Sequence, residues 1–168
     1  MKEKKINILT LALGIALLPP IWAVLAPNFG VTTGAVALIC AGIYVTNGNE
    51  ISDAIKITLG FLCGDIWAVL AIFIMEKLSL NPNLELFGTL FLLGGLAVLI
   101  GENIPKYIFT PAWLCGWAIG LTVMGTYSVE ELGTLPIQIG VAMIVGVVYV
   151  GIGVDAFQKG LVKCFRKR

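Results

Sequence analysis

Read for apolar and polar positions, the chain falls into six long apolar runs, at 6–25, 31–46, 54–75, 86–100, 107–125 and 136–154. Most approach the roughly 20 residues that an α-helix needs to cross a bilayer. The interruptions between them are short and turn-like: Asn28-Phe29-Gly30, Asn47 to Glu50, a stretch around Pro82, the segment before Pro105, and a polar loop holding Glu130 and Glu131. Such a pattern predicts an all-α, polytopic integral membrane protein, a single domain over residues 1–168 with six transmembrane helices. Ser52 or Asp53 is the expected N-cap of the third helix. Pro19 and Pro20 should kink or interrupt the first helix, and Pro111 the fifth. The small residues Gly34, Ala35, Ala37, Ala41 and Gly42, with Gly88, Gly94 and Gly95, allow close helix approach.

Composition agrees, with 58% hydrophobic and 12% charged residues against about 25% charged in soluble domains. The net charge of +1 conceals an asymmetry, because Lys2, Lys4, Lys5, Lys159, Lys163, Arg166, Lys167 and Arg168, eight of the eleven basic residues, flank the first and last runs. By the positive-inside rule both termini are expected in the cytoplasm, which requires an even number of crossings. The first run is expected to be a retained span rather than a cleaved signal, since WAVLAP lacks a clean small-residue cleavage site. Split between two short tails, the basic residues form no groove-sized patch, so nucleic acid is not an expected partner.

The chain has no histidine, and its four cysteines show no C-x-x-C spacing. Neither a metal nor another cofactor is expected, and without a Ser/His or Cys/His arrangement the chain is not expected to be an enzyme.

Within 60–75 lies Asp65, a carboxylate near the middle of an apolar run with no lysine or arginine between Thr58 and Met75. A charge at bilayer depth costs roughly 2.5 to 3.5 kcal/mol on insertion scales, so it is expected to face the bundle interior, water or a solute. Two readings stand: a protonated carboxyl tying neighbouring helices together, or a station on a solute route. Further polar or aromatic groups at depth complete the candidate solute pathway: Trp67, Tyr44, Thr110, Trp113, Trp117 and Tyr149, with Glu102 at a mouth. Trp113 and Trp117, four residues apart, share one helical face.

These features predict a small-solute channel or transporter. A carboxylate with aromatic neighbours suits a small amine or ammonium-like cation, and the same groups suit an amide through hydrogen bonds. The alternative is a membrane scaffold or accessory subunit that transports nothing. Glycine-lined helices in so small a chain also fit a homo-oligomer.

Two internal repeats compete. IWAVLA at 21–26 recurs at 66–71, which suggests three hairpins; TTGA at 32–35 aligns with FTPA at 109–112, which superposes spans two and five. The second is preferred and implies three spans plus three in inverted orientation.

Ile21-Trp22, the run Cys40-Ala41-Gly42-Ile43-Tyr44, the centre Gly64-Asp65-Ile66-Trp67-Ala68 and the late stretch from Pro111 to Gly116 resemble a family of small bacterial inner-membrane proteins, domain of unknown function 1097. The resemblance covers nearly the whole chain and implies a six-span inner-membrane fold with no assigned chemistry. Asp65 departs from the family pattern, which tends to an apolar residue after that glycine.

Overall fold

The computed structural model describes residues 2–78 and 81–166. Ser79 and Leu80 of the predicted 76–85 loop, and Lys167 and Arg168 of the basic tail, lie outside the described residues. The described chain is helical, with no strand: α1 (Lys2–Leu25), a 3-10 turn (Ala26–Phe29), α2 (Val36–Thr46), α3 (Ile51–Lys77), α4 (Pro82–Asn103), α5 (Thr110–Met124), a second 3-10 turn (Val129–Glu131) and α6 (Leu135–Val145). A π-helical segment (Gly146–Ile152) joins α6 to α7 (Gly153–Arg166) without a break, so the six predicted spans correspond to six helical rods. Four rods are long and apolar enough to cross a membrane; α2 and α5 are shorter apolar helices. Both chain ends lie at one end of the bundle, where the Gln158 side chain donates to the Asn7 carbonyl at 3.0 Å.

Several local expectations change. α1 runs through Pro19 and Pro20 as one helix instead of breaking there, as prolines in membrane helices can when neighbouring groups take up the freed backbone positions. Pro111 sits in the first turn of α5, where its missing N–H has no helical partner to lose, so it starts that helix. Glu50, not Ser52 or Asp53, occupies the N-cap of α3 and makes no side-chain cap. Asp53 instead takes a hydrogen bond from Asn47 at 2.6 Å and pairs with Lys56 at 2.9 Å. Gly42, Gly88 and Gly95 face open space and bring no helices together, while Gly94 meets only the ring of Trp117.

The core is the α3–α5 crossing, the most extensive helix contact in the bundle. Gly60, Gly64 and Ala68 recur every four residues on α3, and Ala112, Gly116 and Gly120 do so on α5, which aligns each set on one face. A methyl on Gly64 would collide with the Trp113 carbonyl and Trp117 amide, and one on Gly116 with the Phe61 carbonyl. The two backbones therefore touch with no side chain between them.

A second close approach joins α2 to the π segment. A Cβ on Gly146 would lie 2.7 Å from Cys40 Cβ, and one on Gly151 would lie 2.7 Å from the Tyr44 ring. In an α-helix, residues five apart point about 140° from each other. An i→i+5 turn brings them back toward one side, so the π geometry lets both glycines receive α2. With helices one to three matched to four to six, α3 on α5 corresponds to the last rod on α2, and α4 on α3 to α1 on the last rod. These four packings occur, although α4 on α5 has no counterpart in a packing of α1 on α2, so the three-plus-three plan holds for α3, α5 and their partners and not for every contact.

Candidate functional site

Asp65 lies near the midpoint of α3 and is 6% exposed. One residue past Gly64, its carboxyl turns from the α5 backbone into the seam between α5 and α6. Glycines on both helices leave it room: Cβ atoms at Gly120 and Gly140 would stand 3.5 Å from Oδ1 and 3.7 Å from Oδ2. Oδ1 is buried without a hydrogen-bond partner, and among the described residues no lysine or arginine pairs with the carboxyl. A buried carboxyl in this state is stabilised by a proton, a cation or a donor from outside the protein. Beside it opens a groove of about 360 Å³, lined by Ile66, Val69, Leu70, Phe73, Val129 and Pro136. The groove lies on the flank of the bundle between α3 and the start of α6.

The second 3-10 turn covers the end of this groove farther from the chain termini. Val129 lines the groove, and its N–H donates to Glu76 Oε2 at 3.0 Å, tying the turn to the last helical turn of α3. The turn is held in shape by a capping box, in which the Ser128 amide donates to Glu131 Oε2 at 3.0 Å and the Ser128 side chain accepts from the Glu131 amide; the Ser128 hydroxyl also donates to Glu131 Oε2 at 2.9 Å. These bonds favour the charged form and hold the Glu131 carboxyl below its usual range. A depressed carboxylate contributes stability above its unfolded-state value and loses it as pH falls through the folded one, so the cover should loosen in acid. We expect the Ser128 amide signal to titrate with a midpoint below the roughly 4.3 of a free glutamate, and S128A, which removes the hydroxyl donor but keeps that backbone amide, to bring the midpoint read at the same amide part of the way back up.

Trp67, Trp113 and Trp117 form a separate cluster on the other side of α3. Trp67, two residues beyond Asp65, points about 200° away around the helix. Its indole N–H donates to the Leu93 carbonyl of α4 at 3.0 Å, and its ring meets Trp113 edge-on, with centroids 5.1 Å apart and planes at 87°. Trp113 is therefore a buried packing residue rather than a surface anchor, and Trp117 lies along Gly94. The indole N–H groups of Trp113 and Trp117 are buried without partners. Phe73, not a tryptophan, is the aromatic side chain at the Asp65 groove.

The remaining candidates are dispersed. Thr110, at the start of α5, packs on Gly101 near the end of α4. Tyr149 is half-buried beside Ala37, Ala41, Val150 and Val154. Glu102 is exposed near the end of α4. Tyr44 is fully buried against Gly151, its hydroxyl unpartnered, near the start of α7.

Sequence reasoning passed over the four-residue glycine spacing on α3 and α5, although that spacing is visible in the chain. It also gave Asp155 and Glu76 no role; the Lys159 partner of Asp155 is local, four residues on, whereas the Val129 amide that meets Glu76 is distant in sequence.

The profile of a family described as "Protein of unknown function (DUF1097)" matches residues 12–159. Neither a curated protein nor a solved structure matches the chain.

Proposed function

The chain belongs to the DUF1097 family, and we propose that it passes a small amine- or ammonium-like cation across the membrane, with Asp65 as the group that meets the solute. One observation carries this reading: a carboxyl at mid-helix, 6% exposed and without a protein cation, borders a groove large enough for a small solute. The carboxyl supplies the charge for an ammonium group, and Phe73, two turns further along α3 with the Lys77 ammonium 5.8 Å from its ring centroid, supplies an aromatic face on the way to it. Glu76 and the Val129 turn form the cover that a solute must pass at one end.

Lys4, Lys5, Lys56, Lys106, Lys159 and Lys163 stand at the end of the bundle that holds the chain termini, and Lys77 at the other. Under the positive-inside rule the terminal end faces the cytoplasm and the Val129 cover faces outward. An inner-membrane location agrees with the family resemblance.

The test is uptake of radiolabelled methylammonium and of urea into proteoliposomes holding the purified chain. We expect methylammonium flux above that of protein-free vesicles. Flux of urea alone would reassign the solute to an amide. Flux of neither would leave the scaffold reading as the better account, and that reading has one structural feature in its favour: Gly88 and Gly95 lie seven residues apart on an exposed face of α4 with nothing within 4 Å, as a contact with a second copy would require.

A further inference from the structure

Near the terminal end of the bundle, away from the Asp65 groove, a second carboxyl is buried. Asp155, in the first turn of α7, is 6% exposed, yet it lies on the helix that carries the basic residues Lys159 and Lys163. Its Oδ2 is met at 2.6 Å by the ammonium of Lys159, one turn further along α7. The two ends of this pair differ in exposure: the carboxylate is inside the protein, whereas the Lys159 side chain is 68% exposed. The ammonium therefore reaches the carboxylate from the water side on a flexible stem.

Facing the pair from α2 is Tyr44. It is 0% exposed, its ring lies on Gly151, one turn before Asp155, and its hydroxyl is buried without a hydrogen-bond partner. The charges acting on that hydroxyl are those of Asp155, Lys159 and Asp53. Asp53 is already satisfied by Asn47 and Lys56. Tyr44 is thus an unused hydroxyl whose ring packs one turn from a buried carboxylate that already receives an ammonium group. Burying a hydroxyl unpaired is costly, and an aliphatic side chain in its pocket would avoid that cost.

We propose that Asp155 and Tyr44 form a binding site for a primary ammonium group, occupied in this structure by the chain's own Lys159. The carboxylate supplies the charge, the tyrosine oxygen a second acceptor, and Lys159 is a tethered competitor that a free cation must displace. The bound class follows from the –NH₃⁺ group that the site already accepts, a compact cation with three donors. A quaternary ammonium has no donors to offer. The site stands apart from Asp65 and does not rest on its proposed role.

Removing the tether tests this by chemical rescue. In K159A the buried Asp155 loses its partner, and the thermal midpoint of the purified chain in nanodiscs should fall when measured in choline chloride. Methylammonium chloride at equal ionic strength should restore it. Because a short tether presents its ammonium at an effective concentration in the millimolar range, D65N, in which the other carboxyl cannot hold the cation, should need more methylammonium for half of any stabilisation than D65N combined with K159A. Adding Y44F to K159A should weaken the rescue, and adding D65N should leave it intact. Equal rescue by choline would reduce the pair to salt screening and overturn the proposal. So would a K159A midpoint that neither falls nor responds to methylammonium. A rescue abolished by D65N would place the bound amine at the other carboxyl and overturn it as well.

Discussion

D65N is expected to lower methylammonium uptake by about 10- to 100-fold at subsaturating solute while leaving the protein folded. Asparagine keeps the size of the side chain and removes its charge, so the seam between Gly120 and Gly140 still accommodates it. What disappears is the charge-assisted hydrogen bond to a cation, worth about 1.5 to 3 kcal/mol, which gives that range in affinity. Flux of a neutral amide through the same groove should change far less, because an asparagine still donates and accepts. Stability, assayed in parallel by thermal denaturation, should not fall, since among the described residues no lysine or arginine is left unpaired by the change. Methylammonium uptake equal to wild type would remove Asp65 from the route and return it to the role of helix glue.

The largest structural effect is expected at Gly64. In G64V the new side chain must enter the space held by the Trp113 carbonyl, the Trp117 amide and the Gly116 backbone, none of which can rotate away. Overpacking a core costs about 1 to 3 kcal/mol when side chains can yield; here two helix backbones must separate, so we expect a loss at or above the upper end of that range. It should register as a lower thermal midpoint, or as no monodisperse protein after purification. G95A provides the contrast. A Cβ there meets nothing within 4 Å, and replacing a helical glycine by alanine removes up to about 1 kcal/mol of unfavourable propensity, so its stability should equal or exceed that of wild type. Equal behaviour of the two variants would show that the α3–α5 contact is looser than its geometry indicates.

Membrane class, the number of helical rods and the approximate loop positions were legible in the chain because lipid imposes length and polarity on any spanning segment. The runs at 54–75 and 86–100 fall within α3 and α4, and the turn at Asn28-Phe29-Gly30 ends in a Gly30 with φ of 73°. Helix faces were far less legible. In water an apolar stripe marks the buried side of a helix; in a bilayer both sides are apolar, so Ile66 facing outward and Phe61 buried in the core look alike in sequence. Only small residues at fixed spacing mark a contact face, and Gly88 and Gly95 show that spacing alone does not say whether a partner is there.

The chain alone determined that a carboxylate must be kept near the middle of an apolar helix with no lysine or arginine between Thr58 and Met75, because charge and hydropathy are local properties. Tertiary structure decided which way that carboxylate turns, into a seam opened by Gly120 and Gly140 and away from Trp67, Trp113 and Trp117. It also decided that Tyr44 and Asp155, 111 positions apart in the numbering, are both buried, with the Tyr44 ring on Gly151 one turn before Asp155. Both outcomes depend on which helices approach closely enough to exclude side chains, and that is a property of pairs of helices that no single stretch of sequence contains.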